Sequence, residues 1–187
     1  MAKEKKYKSG LKKVSFSGRP QILSRIVYEG DEHIMLSTKG NGYSLKEDKI
    51  KFPSIFENVF DVVLTFEKDG VEYSRSLTVQ EQIPMNGDVR FRWNNADIFG
   101  LLKFFCSPDD RRIILASGIH DFLLEFREDN YRVFEDTGLT VKEFIRMTSD
   151  AFIYLCIQGG FTKIKATTMG NLVDLFQLRF QRRKWRF

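Results

Sequence analysis

Phe60-Asp61-Val62-Val63-Leu64-Thr65-Phe66, then Glu67-Lys68-Asp69-Gly70, then Val71-Glu72-Tyr73-Ser74-Arg75-Ser76-Leu77-Thr78-Val79, is the stretch that decides the fold of the first half. Phe60, Val62, Leu64 and Phe66 recur every second residue, which places them on one face of a strand. Asp69-Gly70 offers the positive-φ pair that a two-residue hairpin turn requires. Val71, Tyr73, Arg75, Leu77 and Val79 resume the alternation, so the segment predicts an antiparallel hairpin. Upstream the same grammar repeats. Ile22–Tyr28 and His33–Ser37 read as two strands around a turn containing Gly30, and Lys39-Gly40-Asn41-Gly42 is a second turn signal. His33 falls at a hairpin end and reads as surface.

Beyond about Asn95 the apolar period changes to that of a helix. A short helix is expected over Asp97–Phe105, stopped near Ser107-Pro108. Pro108 with Asp109 and Asp110 reads as the start of a second helix, capped by Ser107 and running to about Arg127. Thr140-Val141-Lys142-Glu143 is a capping box opening a helix to about Cys156, and Gly159-Gly160 ends it. A last helix is expected from about Met169 to Arg182. Strands first and helices after give an α+β class: an N-terminal antiparallel β-sheet with hairpins, followed by three to four packed α-helices. The expected organisation is a basic flexible arm over 1–13, a single α+β domain over 14–180 and a basic-aromatic tail over 181–187.

A chain of 187 residues with 18 Phe can bury a substantial aromatic core. Cys106 and Cys156 form no CxxC pattern, which suits a reducing compartment. No apolar run reaches the length of a membrane span, and the lysine-rich N-terminus has no apolar segment behind it, so neither a transmembrane segment nor a standard signal peptide is expected. Charge is segregated. Six Lys and one Glu give residues 1–13 a charge of +5, five Arg or Lys give 179–187 another +5, and 14–178 carries −5 within the chain total of +5. Lys5, Lys6, Lys12, Lys13, Arg182, Arg183, Lys184, Trp185 and Arg186 are therefore the expected contacts to a polyanion or an acidic partner. Short basic ends also occur simply as solvated chain, and the tail's aromatics would then be merely exposed.

Leu115-Ala116-Ser117-Gly118-Ile119-His120-Asp121-Phe122-Leu123-Leu124-Glu125-Phe126 is the most apolar run of the second half and holds one of the two histidines beside a carboxylate. On a helix, Leu115, Ile119, Phe122, Leu123 and Phe126 form one stripe with His120 at its edge. Adjacent residues diverge by about 100°, so Asp121 is not expected to bind its neighbour's imidazole. The pair would instead offer two separate contacts, to a metal or to a distal carboxylate, and Asp150 is the best distal partner. Periodicity places Asp150 opposite the apolar face of its helix, with Glu143 and Arg146. A structural role for His120, half-buried and bonded to a backbone carbonyl, outweighs a catalytic one on spacing alone. No HExxH, phosphate-binding glycine loop, nucleophile elbow or CxxC zinc pattern is present.

Asn94-Asn95-Ala96-Asp97-Ile98-Phe99, then Ala116-Ser117-Gly118-Ile119-His120-Asp121-Phe122-Leu123, then Ser149-Asp150-Ala151-Phe152, together resemble a phage- and prophage-associated domain family of unknown function. In that family a strand region precedes an Asp-Gly-Ala-Ser-Ile-Pro motif, a helix with His-Asp-x-Leu-Tyr and a helix with Ala-Asp-x-x-Phe. The resemblance covers about residues 60–160. This chain departs from the pattern: the family's Asp falls on Asn94, its Gly on Asn95, its Ser on Asp97, its Pro on Phe99 and its Tyr on Leu124. Asn in place of Asp removes a formal charge and a strong cation ligand, which puts a working metal site in question.

Two functional expectations follow. The first is a virion-associated structural or assembly protein, in the virion or host cytoplasm, without a cofactor. Its basic termini would dock on DNA or on other virion or assembly proteins, and self-association is compatible with it. The second is a small metal-dependent hydrolase holding a divalent ion with His120, Asp121 and either Asp97 or Asp150, its candidate catalytic residues being His120, Asp121 and Asp150.

Overall fold

The structure is a computed structural model that describes residues 9–29, 32–37, 42–45, 54–79 and 110–180. Its strands are β1 (Leu11–Ser17), β2 (Ile22–Glu29), β3 (Glu32–Ser37), β4 (Gly42–Leu45), β5 (Ser54–Phe56), β6 (Phe60–Lys68) and β7 (Val71–Val79). Its helices are α1 (Arg111–Glu125), α2 (Arg127–Arg132), α3 (Val141–Gln158) and α4 (Lys163–Phe180), with one 3-10 turn at Glu135–Thr137. The α+β class is as expected, but the strands form two antiparallel sheets, β1-β6-β7 and β4-β3-β2-β5. The division arises because β1 pairs with β6, far along the chain, and leaves β2 to β5 to pair among themselves.

The β6–β7 hairpin forms as read. Asp69 and Gly70 take φ of 52° and 80°, and Phe66↔Tyr73, Leu64↔Arg75 and Phe60↔Val79 face each other across the ladder. Phe60, Val62, Leu64 and Phe66 are all buried, joined by Leu77 and Val79. This face lies against the helices through a chain of rings: Phe66 to Phe134 at 5.7 Å, Phe134 to Phe144 at 5.3 Å and Phe144 to Tyr131 at 5.8 Å between centroids. Each such phenylalanine is worth about 3–5 kcal/mol when truncated to Ala. The other sheet joins the core through Phe56, which meets Phe60 edge-on at 4.9 Å. Asn58 locks that junction, its Oδ1 accepting from the Gln21 N–H at 2.8 Å while its amide donates to the Arg19 carbonyl at 3.2 Å.

Several boundaries move for local reasons. β1 begins at Leu11, so Lys12 and Lys13 belong to the sheet and not to an arm. The register slips between Leu11 and Lys13, and Lys12 pairs with Glu67 and Glu72 at 3.0 and 2.9 Å. α1 is capped by Asp110, whose carboxylate accepts from the Arg112 N–H at 3.0 Å, so the helix starts at Arg111. It stops at Glu125, two residues short of expectation, because the buried Asn130 amide donates to the Phe122 and Leu123 carbonyls at 3.1 and 3.2 Å. α4 starts at Lys163, six residues earlier than read. Its first turn is polar and gave no periodic signal, yet the Thr162 carbonyl accepts from Ala166 N–H at 2.9 Å. The expected helix over Asp97–Phe105, the Ser107 cap and the tail 181–187 lie outside the described residues.

The capping box is present as read. Glu143 Oε2 accepts from the Thr140 N–H at 2.8 Å, and Thr140 Oγ1 accepts from the Glu143 N–H at 3.3 Å. Glu143 also receives the Lys68 ammonium at 2.7 Å, tying the end of β6 to the start of α3. That ammonium, followed by the Thr140 amide, lowers the Glu143 carboxyl from 4.5 to about 2. A carboxyl depressed by folding contributes stability that is fully present above its unfolded value and disappears as pH falls through its folded one. Glu143→Gln should therefore flatten the pH dependence of urea-unfolding stability between pH 4.5 and about 2; an unaltered slope in that window would refute the pairing.

Gly10 holds the entry to β1. Its φ is +80°, its carbonyl accepts from the Glu67 N–H at 3.0 Å, and a Cβ there would collide with the Glu67 carbonyl oxygen. Gly10→Ala should cost at least about 2 kcal/mol in urea unfolding, from positive-φ strain and the backbone clash together. A loss below about 0.5 kcal/mol would show that this turn relaxes freely.

Candidate functional site

α1 and α3 lie against each other, and α3 is also packed on α4 and β1. The central helix of the second half is therefore α3. Eleven of its residues are buried, including Met147, Ser149, Asp150, Ile153 and Cys156. Close approach on both sides uses glycine: a Cβ on Gly170 of α4 would collide with the Ile153 side chain, and one on Gly159 would sit 2.5 Å from the Arg112 carbonyl oxygen.

His120 sits in the α1–α3 contact, buried, with its ring edge-on to Phe152 at 5.9 Å. Two expectations about it are overturned. Its Nδ1 lies 3.1 Å from Asp121 Oδ1, so the adjacent pair does bond within one helix. The helical step separates the two Cα–Cβ directions, but Nδ1 is a ring nitrogen close to its own backbone, and a short carboxylate one residue on spans the gap. Nor does the ring bond a backbone carbonyl among the described residues: Nε2 is buried and has no hydrogen-bond partner there. With the proton on Nδ1, the ring donates to Asp121 and turns the lone pair of Nε2 into the interface. A carboxylate on the far nitrogen is the arrangement that orients metal-ligating and proton-transferring histidines.

Asp150 is elsewhere. It is buried, and one oxygen accepts both from the Ser9 N–H at 3.0 Å and from the Ser9 hydroxyl at 2.7 Å. It is neither a surface charge grouped with Glu143 and Arg146 nor a contact of His120. The face of α3 that periodicity assigned to solvent is covered by the lead-in to β1, a pairing between residues 141 positions apart that no local pattern reveals. Among the described residues, no three His, Cys, Asp or Glu side chains gather in a metal-holding group. Asp97 lies outside the described residues, as do Lys5, Lys6, Arg182, Arg183, Lys184, Trp185 and Arg186. His33 lies in β3, opposite Tyr28 and Leu45 in the ladder.

Two features escaped the sequence reading. Ser9 bonds Asp150, and nothing in its local context signals it. The other is a corner where Arg112 and Lys165 share the ring of Phe161. Its signal was available: the first turns of α1 and α4 carry Arg111, Arg112, Lys163 and Lys165 where helices favour acidic residues. No family model matches the chain, and no curated protein or solved structure matches it either.

If Nε2 of His120 faces only apolar atoms, replacing the ring by a hydrocarbon removes an unmet polar group and should be nearly neutral. His120→Leu is expected to change urea-unfolding stability by no more than about 1 kcal/mol. A loss above about 3 kcal/mol would reveal a ligand or partner on Nε2.

Proposed function

We propose that the chain is a phage- or prophage-encoded, virion-associated assembly protein that acts by docking, its basic terminal segments held on nucleic acid. The observation that carries this reading is the charge segregation: residues 1–8 carry +3 and residues 181–187 carry +4, which leaves 9–180 at −2. The bond from Ser9 to Asp150 supports it, because it fixes where the N-terminal basic segment leaves the body, beside α3. The phage assignment draws on the motif resemblance alone. Removing residues 181–187 takes away four cations, and the slope of log binding constant against log salt for a mixed-sequence DNA duplex should fall by about 4 if each neutralises a phosphate. Unchanged affinity and slope would overturn the reading.

One observation favours a second reading, a metal-dependent hydrolase: the His120–Asp121 pair with Nε2 unpartnered among the described residues. Asp150 weighs against it, since one of its oxygens is taken by the amide and the hydroxyl of Ser9. This reading requires stoichiometric divalent metal in the purified protein and its loss in His120→Ala, measured by elemental analysis.

A further inference from the structure

α1 and α4 begin at one corner of the body. Phe161, buried just ahead of α4, has the Arg112 guanidinium 4.4 Å and the Lys165 ammonium 5.2 Å from its ring centroid. Two cations from different helices are thus held on one aromatic platform, within about 10 Å of each other. The corner is fixed by the backbone approach of Gly159 to the Arg112 carbonyl. Lys163 is exposed beside Lys165, and neither helix has an acidic residue in its first turn. Asp110, the cap of α1, is committed to Arg112, with side-chain contacts of 2.6 and 2.9 Å. Arg112 is neutralised by its own helix cap, and Asp110 also faces Lys165, whereas Lys163 and Lys165 stand at the positive end of the α4 dipole, where cations do not serve helix stability.

We propose that Arg112, Lys163 and Lys165, arranged around Phe161, form a docking surface on the folded body for the phosphate backbone of nucleic acid. It rests on the docking reading for its partner class but uses none of the terminal residues. The chemistry is complementary: a chain of phosphates offsets the charge of Lys163 and Lys165 at the α4 N-terminus and releases its own counterions on contact. A body contact combined with a basic terminal segment lets one polyanion engage two sites, each raising the effective concentration of the other. Ile164 is 83% exposed between the two lysines and Leu175 is 50% exposed three turns on, but two separated aliphatic side chains offer little of the continuous apolar face that an interfacial helix needs, which favours phosphate over a bilayer.

The test uses the full chain and a fluorescein-labelled mixed-sequence DNA duplex, read by anisotropy across a salt series. Lys163→Gln with Lys165→Gln should weaken binding about tenfold or more at 0.1 M salt and lower the salt slope by about 2. Lys142→Gln, an exposed lysine on α3, serves as the matched control and should lower the slope by less than about 0.5. Thermal melting of each variant checks that the fold is retained. If the double variant binds as the parent does while loss of 181–187 weakens binding, the corner is overturned and the terminal reading stands. If the double variant weakens binding and the truncation does not, the corner stands and the terminal reading falls. If neither change matters, both fall. Tighter binding to phosphatidylglycerol-containing vesicles than to the duplex, lost in the double variant, would overturn the choice of partner.

Discussion

One carboxylate oxygen of Asp150, accepting the amide and the hydroxyl of Ser9, fastens the lead-in of β1 onto the most buried helix of the protein. Both groups are buried, so neither can fall back on water if the bond is broken. The turn at Gly10 follows at once, and from it β1 runs antiparallel to β6. The order of the larger motif is thus set: the β6–β7 hairpin is the local unit, β1 is added to it over a long chain separation, and α3 closes against the result. The aromatic chain from Phe66 through Phe134 to Phe144 fills the space those contacts enclose. Arg75 seals its rim, donating to the Val133 carbonyl at 3.1 Å and pairing with Asp136 at 2.7 Å.

The acidic groups that invited a catalytic reading are in large part structural. Asp150 anchors a strand, Asp110 and Glu143 cap helices, and Glu67 and Glu72 neutralise Lys12 on the sheet. Asp121 holds the ring of His120. The cations divide differently. Lys12, Lys68, Arg75 and Arg112 are paired with carboxylates within the fold, whereas Lys163 and Lys165 are collected where helix electrostatics disfavour them. A protein that spends its carboxylates internally and gathers its cations at one corner and both ends suits the work of holding a polyanion.

What could be read in advance was whatever is encoded within about a dozen residues. The alternation of Phe60 to Phe66 with Asp69-Gly70 gave the hairpin, and Thr140 with Glu143 gave the start of α3. The pairing of β1 with β6 was invisible because neither partner's pattern names the other. The same holds for Asp150, whose environment is made by a residue at the opposite end of the chain. Helix geometry alone separated His120 from Asp121, and the error came from treating side chains as rays when Nδ1 lies close to the backbone. Asn130 shortened α1 through carbonyls seven and eight residues back, a cap that no start or stop rule anticipates.

The most direct measurement of this architecture is native-state hydrogen exchange at the amide of Ser9. Donated to a buried carboxylate, it should be protected to a degree comparable with the central amides of α3 and lose that protection in Asp150→Ala. Exchange of the Ser9 amide at the rate of an unstructured peptide in the unaltered protein would contradict the account, and would free Asp150 for the chemistry denied to it here.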